Sequence, residues 1–385
     1  MNANPNGTAQ RILAARRSLR IEWADGESSE FDSLWLRDNR PEDRDAHSGQ
    51  RLIDVTDLPA DPVIRSAALR GSAVSVEWEG EPRSTSFSLD WLRMHGRGDP
   101  DLRPDHAVRR WLEGSTLDPT RDFAWLPART FQSDAAARAQ WLGRLLRDGL
   151  AFVSEVPAQD SAVLETTQLI GRVAETNYGR AFDVRTVPQP ENLAYSDAGL
   201  GLHTDNPYRE PVPGFQALHV LVASAEGGET LLADGFAIAE HLRATAPEAF
   251  ERLAHQPIPF RYQSKDAELY AERPLIELSG EGEIRAVYYN SRSIAPLRLA
   301  PRAVRAFYEA YRRFAALLRE PRFQVRLRLA EGTVVVFDNQ RVLHGRTAYS
   351  SGRQARHLRG CYLTRDSVRS EAAVLRRRLR AGAAE

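Results

Sequence analysis

The chain has 385 residues, enough for two domains of ordinary size. Hydrophobic residues make up 42% and charged residues 27%, which is typical of globular proteins that fold in water. Acidic and basic residues balance at 52 each, and this argues against nucleic acid or an anionic membrane as a partner.

The sequence does not predict export or a membrane span. Cys361 is the single cysteine, which excludes an intrachain disulfide and a multi-cysteine zinc site. The stretch MNANPNGTAQRILAARRSLRIEW lacks an apolar segment of signal-peptide length, and no run of about 18 apolar residues occurs. We therefore expect a cytoplasmic protein with no membrane partner; a short arginine-rich organelle leader stays open as an alternative.

The first predicted domain is small and β-rich. SLRIEWADGES alternates apolar and polar residues around an Asp-Gly turn, and AVSVEWEGEPRSTSFSLDWL resembles a hairpin followed by a helix start. The next segment is rich in proline, glycine and charge, as connectors are. These patterns predict a domain over residues 1–100, a connector over 101–127 and a second domain over 128–385.

The second predicted domain combines helices with a long series of short strands. DAAARAQWLGRLLRDG has apolar residues at helical spacing and ends at Gly149, LAFVSEVP reads as a buried strand, and AVLETTQLIGRVA predicts a second helix. Strands dominate from residue 192, with helices expected over 236–255 and 301–319 and a basic surface helix at the end. This order favours a mainly β domain, a sandwich or barrel with flanking helices.

One motif carries chemistry. In GLHTDNPY, His203 and Asp205 are two residues apart, so on a strand both side chains point to one side. His344 follows the apolar strand expected at 334–337 in VVVFDNQRVLHGRTAY. Two imidazoles and one carboxylate form the ligand set of non-haem Fe(II) oxygenases, which leaves open positions on the metal. A strand-edge hydrogen bond or a solvated turn is the simpler explanation for an isolated His-x-Asp pair.

A downstream arginine strengthens the metal interpretation. After His344 the chain makes a polar turn and returns in ARHLRGCYLT, which can bring Arg356 beneath the metal. A dicarboxylate cosubstrate needs a partner that binds a carboxylate through two hydrogen bonds, and arginine provides this. The alternative for any single arginine in this chain is a solvated surface residue.

These segments together resemble a known family. NLAYSDAGLGLHTDNPYREPVPGFQALH, GGETLLADGF, VVVFDNQRVLHGRTAY, RHLRGCYLTRD and the N-terminal LWLRDNRPEDRD are similar to the taurine-dioxygenase-like Fe(II)/2-oxoglutarate oxygenases. The closest resemblance is to the branch of gamma-butyrobetaine and trimethyllysine dioxygenases. The resemblance implies a double-stranded β-helix (jelly roll) domain that binds Fe(II) through His203, Asp205 and His344.

The same resemblance implies the cosubstrates and the assembly. 2-Oxoglutarate would bind the iron and pair its far carboxylate with Arg356, with Thr230 and Leu218 lining its site. O2 would be the oxidant, ascorbate is a candidate reductant, and a homodimer is expected. The reaction would hydroxylate an unactivated C–H bond in a small molecule.

The resemblance also implies residues for a trimethylammonium substrate. Such a group has no N–H, so π faces or remote carboxylates must recognise it, at about 0.5–2 kcal/mol per aromatic contact. The positions that match the family's aromatic cage are Tyr178, Phe182, Tyr195 and Tyr362. Phe182 stands where the family has tryptophan, a stronger cation partner. Each of these rings is otherwise an ordinary core residue.

The anionic end of the substrate would contact asparagines. Asn192 and Asn290, with Asn206 near the metal, match the polar residues that hold the butyrobetaine carboxylate. The trimethyllysine branch has an acidic residue at the position of Asn192, and vertebrate butyrobetaine enzymes have tyrosine at that of Asn206. Gamma-butyrobetaine, giving L-carnitine, is the expected substrate. If Arg292 points inward it favours a phosphonate such as 2-(trimethylamino)ethylphosphonate; trimethyllysine is the other alternative.

The family's N-terminal domain commonly binds structural zinc, and here the ligands are replaced. The matching positions are Arg40, Glu42, Asp45 and Arg83. We expect salt bridges to cross-link this loop and no structural zinc to bind. The core of the domain should then contain Trp23, Trp35, Leu36, Trp78 and Trp91.

Two other classes of function remain open from the sequence. One is a non-catalytic jelly-roll binding protein, against which the joint presence of three ligands and Arg356 argues. The other is a metal-dependent hydrolase with a His-x-Asp…His zinc site, which oxygen dependence of product formation separates from an oxygenase.

Overall fold

The computed structural model describes residues 9–96, 108–185, 199–223, 227–349 and 356–382. The chain divides into two compact units, Met1–His106 and Ala107–Glu385. The domain boundary predicted at residue 100 lies outside the described residues. Within the described ranges, no helix is both long enough and apolar enough to span a membrane.

In its described residues, the N-terminal unit contains two three-stranded antiparallel sheets and two α-helices. Buried and exposed residues alternate along its strands, as expected where one face of a sheet covers a core. The elements are β1 (Ala9–Ala14), β2 (Ser18–Trp23), β3 (Ser28–Asp32), α1 (Ser33–Asp38), β4 (Ile64–Arg70), β5 (Ala73–Trp78), β6 (Thr85–Ser88) and α2 (Leu89–Gly96).

The predicted core of this unit is confirmed. Trp23 and Trp78 are fully buried, and each indole N–H donates to a hydroxyl, on Ser29 and Thr85 respectively, at 3.0 Å. Satisfying the indole N–H is what allows tryptophan to be buried completely. The remaining members are also in place: Leu36 is buried, and the partly buried rings of Trp35 and Trp91 lie 5.4 Å apart.

Salt bridges cross-link the loop after α1, although not all of the predicted residues take part. Arg37 and Arg40 each bind both Asp43 and Glu81, at 2.7–3.1 Å, so the loop is tied to the segment after β5. Glu42 lies 4.0 Å from Arg40. Two expected members do not join this network: Asp45 accepts hydrogen bonds from Ser48, and Arg83 is exposed. That no structural zinc binds stays a prediction, which metal analysis of the purified protein tests.

We expect Glu81→Gln to destabilise the N-terminal unit by about 1–3 kcal/mol, because two mostly buried guanidinium groups would then share one carboxylate. Thermal unfolding of the full chain measures this, with Glu79→Gln as the matched control because the Arg16–Glu79 pair is exposed. Burial raises the pKa of Asp43, but hydrogen bonds from Arg40 and Arg37 lower it by a larger amount, so the net pKa lies below the ordinary value. This stabilisation is therefore present above pH ~4 and lost as the pH falls below it. An equal loss of stability in Glu81→Gln and Glu79→Gln would contradict a stabilising role of the salt-bridge network.

The larger unit is built around two mainly antiparallel sheets. The major sheet has the order β10-β21-β12-β19-β8-β7, with β9 also paired to β21, and the minor sheet has the order β11-β20-β13-β18. Their strands are β7 (Ala124–Pro127), β8 (Leu150–Ser154), β9 (Val173–Ala174), β10 (Phe182–Arg185), β11 (Leu200–His203), β12 (Phe215–Val222), β13 (Thr230–Asp234), β18 (Val325–Leu327), β19 (Val334–Asp338), β20 (Val342–Arg346) and β21 (His357–Leu363).

The two sheets share one apolar core. Phe152, Val220 and Val335 of the major sheet pack in the same buried cluster as Leu232 and Val342 of the minor sheet. Two facing sheets joined in this way form a jelly roll. Strand β19 contains the apolar strand predicted at 334–337.

Helices and two hairpins cover the sheets. Helix α5 packs Trp141, Leu142 and Leu145 in one cluster with Val153 and Val336, which covers the second face of the major sheet. The further elements are α3 (Pro119–Asp122), α4 (Ala128–Ser133), α5 (Ala135–Asp148), α6 (Ala162–Thr167), α7 (Gly235–Thr245), α8 (Pro247–His255), β14 (Ile258–Gln263), β15 (Glu268–Arg273), β16 (Ile276–Leu278), β17 (Ile284–Val287), α9 (Pro301–Arg319) and α10 (Arg365–Gly382).

The helices predicted up to Gly149 and over 301–319 are confirmed, whereas the helix predicted in AVLETTQLIGRVA is wrong beyond Thr167, because Val173–Ala174 pair with β21 as strand β9. Helix α5 ends at Gly149, whose φ of 76° is the left-handed conformation that favours glycine after a helix. The helix expected over 236–255 is broken at Ala246, because Pro247 disfavours a helical conformation in the residue before it. Part of the segment expected as a connector, Ala124–Pro127, is a strand paired in parallel with β8.

Candidate active site

Three predicted metal ligands meet between β11 and β20. His203 ends β11 and is the antiparallel partner of His344 in β20, with the two ring centroids 4.3 Å apart. Asp205 lies just beyond β11. Its carboxylate oxygens are 3.3 Å from His203 Nε2 and 3.8 Å from His344 Nε2. The three ligand atoms lie within 4.8 Å of one another, close enough to bind one ion.

Gly345 allows this approach of the two strands. A Cβ at this position would lie 2.5 Å from the carbonyl oxygen of Leu200, closer than any side chain tolerates. The glycine in the His-Gly-Arg sequence therefore lets β11 pack against β20, and this sets His203 beside His344.

The protonation states of the three side chains fit a metal. His203 Nδ1 lies 2.9 Å from the carbonyl oxygen of Gly201 and donates to it, which leaves Nε2, 3.3 Å from the Asp205 carboxylate, as the nitrogen that would bind a metal. Burial and the neighbouring His203 lower the pKa of His344 to about 3, so its imidazole is neutral. Burial alone would raise the pKa of Asp205, but His203, His344 and Tyr362 lower it well below its ordinary value.

Asn339 holds the metal-binding carboxylate in place through its backbone. Its side-chain oxygen accepts from the backbone N–H of Asp205 at 2.8 Å, and its amide nitrogen donates to the Asp205 and Pro213 carbonyls at 3.0 and 3.2 Å. Asn339 is completely buried. The hydroxyl of Tyr362 donates to the Asp205 carboxylate at 2.8 Å. These contacts fix the ligand's orientation before a metal binds.

One cavity of about 850 Å³, including the part open to solvent, begins at the three ligands. Residues of both sheets line it. The predicted site residues among them are His203, Asp205, His344, Arg356, Thr230, Leu218, Tyr178, Phe182, Asn206, Arg292 and Tyr362. The structure therefore brings eleven of the predicted residues together around one space.

Three predicted substrate residues are not in this lining. Asn192 and Tyr195 lie outside the described residues. Asn290 is buried but is not among the residues that line the cavity, and its amide nitrogen donates to the carbonyl oxygen of Thr204 at 3.0 Å. Through this bond Asn290 braces the residue between two metal ligands.

Arg356 lies buried in the cavity beside a second arginine, Arg346. Both guanidinium groups lie over the ring of Tyr349, at 5.7 and 5.3 Å from its centroid. Burial and then the charge of Arg346 lower the pKa of Arg356 to about 10. Two adjacent buried cations favour an anion between them or against them. Arg346 faces the same way as His344 because it lies two residues further along β20, and this period-two relation could have identified it from the sequence.

Aromatic and cationic groups line the same cavity. The ring of Phe182 lies 4.9 Å from that of Tyr362 and 6.4 Å from that of Tyr178. Arg292 lines the cavity and is exposed to solvent. Burial lowers the pKa of its guanidinium, and Asp205, Tyr208, Tyr178 and Tyr362 act in the opposite direction. Among the described residues, no carboxylate lies within salt-bridge distance of Arg292.

Comparison with known proteins identifies the family. The profile described as taurine catabolism dioxygenase TauD, TfdA family matches residues 120–362, and that described as gamma-butyrobetaine hydroxylase-like, N-terminal, matches residues 11–93. These matches confirm the resemblance seen in the sequence motifs.

Full-length relatives agree with the profiles. The chain is 35% identical over 364 residues to the gamma-butyrobetaine dioxygenase of Pseudomonas sp. (strain AK-1), covering 93% of both chains. It is 28% identical over 379 residues to that of Homo sapiens, covering 94% of this chain and 96% of the relative. It is 26% identical over 378 residues to the trimethyllysine dioxygenase of Meyerozyma guilliermondii, covering 93% of both. Because the family profile spans the unit in which His203, Asp205 and His344 converge, the chain belongs to the TauD, TfdA family and is an Fe(II)- and 2-oxoglutarate-dependent dioxygenase.

Proposed function

We propose that this dioxygenase hydroxylates an aliphatic C–H bond in a small molecule with a trimethylammonium group at one end and an anion at the other. Gamma-butyrobetaine, giving L-carnitine, is the foremost candidate. The observation that carries the proposal is the cavity itself, which combines aromatic rings with an arginine and an amide donor beside the metal ligands. The names of the relatives support the same class of substrate.

In this proposal His203, Asp205 and His344 hold Fe(II), and Arg356 with Arg346 binds the far carboxylate of 2-oxoglutarate. Thr230 and Leu218 complete that site; Thr230 is the strand partner of Arg346. Bound iron supplies the O2 chemistry that couples decarboxylation of 2-oxoglutarate to insertion of one oxygen atom into a C–H bond. The protein's contribution is to orient both molecules, to keep the His344 imidazole neutral and the Asp205 carboxylate ionised, and to exclude water.

The aromatic rings form the cation side of the proposed substrate site. Tyr178, Phe182 and Tyr362 lie close enough together to surround one quaternary ammonium group, at about 0.5–2 kcal/mol for each ring contacted. Arg209 already lies over one of these rings, with its guanidinium 5.6 Å from the centroid of Tyr178, so a substrate cation would use the other face of that ring together with Phe182 and Tyr362. Tyr195 is proposed as a further member of the set.

Arg292 and Asn206 form the anion side, and Asn192 and Asn290 are proposed to support it. A guanidinium with no carboxylate partner binds a doubly charged phosphonate more strongly than a carboxylate, because the Coulomb attraction grows with the charge of the ligand. Arg292 thus specifically favours 2-(trimethylamino)ethylphosphonate as the second candidate. Trimethyllysine is disfavoured because its α-ammonium group would lie near the same cation.

Turnover of a substrate panel tests the proposal. We expect gamma-butyrobetaine or the phosphonate to stimulate succinate formation, and trimethyllysine to do so weakly. Arg292→Gln should raise the KM of the anionic substrate about 10- to 100-fold, since a charged hydrogen bond contributes about 1.5–3 kcal/mol. Arg298→Gln is the matched control, because Arg298 is exposed and outside the cavity lining. Stimulation only by compounds without a quaternary ammonium group would overturn the proposed substrate class.

Two further proposals concern the protein's oligomeric state and its cellular location. A homodimer is proposed from the family resemblance, and light scattering of the purified protein tests it. Cys361 is a buried free thiol, and we propose a reducing compartment such as the cytoplasm for the protein.

A further inference from the structure

Asn206 lines the cavity and carries an unused hydrogen-bond donor. It follows the metal ligand Asp205, is buried, and adopts a left-handed backbone conformation with φ of 55°, which asparagine tolerates better than most residues. Its side-chain nitrogen is buried and has no hydrogen-bond partner among the described residues. A buried donor left unpaired destabilises the folded protein, so a ligand acceptor is its natural partner.

Tyr208 determines which end of this amide faces the ligand. The buried hydroxyl of Tyr208 donates to the side-chain oxygen of Asn206 at 2.6 Å, which leaves the NH2 group directed elsewhere. A tyrosine hydroxyl has one hydrogen, and Tyr208 uses it on Asn206. The hydroxyl of Tyr178, 3.4 Å away, must therefore donate to Tyr208. The result is a directed chain of hydrogen bonds from Tyr178 through Tyr208 to Asn206.

We propose that Tyr208 is a positioning residue for substrate specificity, because it fixes the Asn206 amide with its NH2 group available to the substrate's anion. The inference rests on the proposed function, since it assigns the anion to that substrate. It also links the two ends of the site: Tyr178, a ring of the cation side, is the first donor of the chain that orients the anion side.

The orientation has a chemical consequence. If the Tyr208 hydroxyl is removed, the amide oxygen of Asn206 loses this donor, and the amide can turn its oxygen towards the ligand. An oxygen facing a carboxylate or phosphonate repels it, whereas an NH2 group binds it. Tyr178 loses only a hydroxyl contact at 3.4 Å and keeps its ring, as do Phe182 and Tyr362, so recognition of the cation should persist.

Binding of three probes to the Fe(II)- and 2-oxoglutarate-loaded enzyme without oxygen tests the inference. The probes are gamma-butyrobetaine, its carbon isostere 5,5-dimethylhexanoate, which keeps only the anion, and butyltrimethylammonium, which keeps only the cation. Tyr208→Phe should raise the Kd of the first two about tenfold, which equals the loss of one hydrogen bond of about 1.4 kcal/mol. The Kd of butyltrimethylammonium should stay within about twofold. In turnover, KM should rise more than kcat falls.

Two further variants separate positioning from general damage. Asn206→Ala should weaken the two anionic probes by a similar factor, and Tyr208→Phe added to it should have no further effect, because both act through one amide. Tyr288→Phe is the matched control: Tyr288 is buried, donates to Glu277 at 2.7 Å and does not line the cavity. It should leave the Kd of all three probes unchanged.

The outcomes distinguish the inference from the proposed function. Equal weakening of all three probes by Tyr208→Phe, or additive effects of the two substitutions, would overturn the positioning role while the substrate class stood. Failure of the wild-type enzyme to bind either quaternary ammonium probe would overturn the proposed function. If 5,5-dimethylhexanoate still bound in a Tyr208-dependent manner, the positioning role would survive that failure, and if it did not bind, both would fall.

Discussion

His344→Ala is expected to abolish iron binding at micromolar iron and to reduce substrate-dependent 2-oxoglutarate turnover to background. Loss of a residue that only orients a ligand lowers metal affinity about 10- to 100-fold, so loss of the ligand itself should exceed about 100-fold. The variant would keep only two ligands, His203 and Asp205, and would lose the imidazole nitrogen that lies 3.8 Å from the Asp205 carboxylate. Iron titration and succinate formation measure the two effects.

The matched control for this prediction is His255→Ala. His255 is exposed on α8, and its contact among the described residues is with Glu251 one turn earlier in the helix. Its removal should therefore change neither iron content nor turnover. Retention of 2-oxoglutarate decarboxylation by the His344 variant at the wild-type rate would remove His344 from the ligand set.

The second large effect is expected at Arg356. Arg356→Ala should raise the KM for 2-oxoglutarate at least about 30-fold, because truncating one partner of a buried charge pair costs about 2–5 kcal/mol. Arg356→Lys should recover part of this loss, since it restores the charge but not the two parallel hydrogen bonds of a guanidinium. Steady-state kinetics with varied 2-oxoglutarate provide the measurement.

Iron affinity should stay within about twofold in both Arg356 variants, which separates this effect from loss of the metal. Arg261→Ala, at an exposed ion pair of β14, is the control that should leave the KM unchanged. An unaltered KM in Arg356→Ala would mean that the cosubstrate carboxylate binds elsewhere.

The metal ligands could be predicted from the sequence because a short local rule determines them. Residues two apart near a strand's end point the same way, and this led to His203 and Asp205. The same rule applied to His344 also yields Arg346. The helix boundary at Gly149 was equally local, since one left-handed residue ends the helix.

The supporting contacts could not be predicted because they depend on pairing between distant segments. Asn339 reaches Asp205 across 134 positions of sequence, and only the folded sheets bring them together. The contact of Tyr208 with Asn206 is close in sequence, but the contact of Tyr178 with Tyr208 joins residues 30 positions apart. In the N-terminal unit, Glu81 joins the salt-bridge network in place of the expected Asp45 and Arg83, because the segment after β5 meets α1 only in the folded unit.

These supporting contacts explain how the chain prepares its site. Two imidazoles and a carboxylate held by Asn339 form the metal site, and we propose that the neighbouring buried arginines Arg346 and Arg356 bind the dicarboxylate. The rest of the cavity contains aromatic rings, for the proposed cation, and hydrogen-bond donors, for the proposed anion. A non-catalytic binding protein would need none of the metal-binding features, and a zinc hydrolase would not need the paired arginines.

The fate of oxygen tests this account most directly. Turnover of gamma-butyrobetaine or 2-(trimethylamino)ethylphosphonate under ¹⁸O2, followed by mass spectrometry, should show one labelled atom in the alcohol and one in succinate. Alcohol and succinate should form in equal amounts, and neither should form above background without oxygen. Product that forms without O2, or without succinate, would contradict the account.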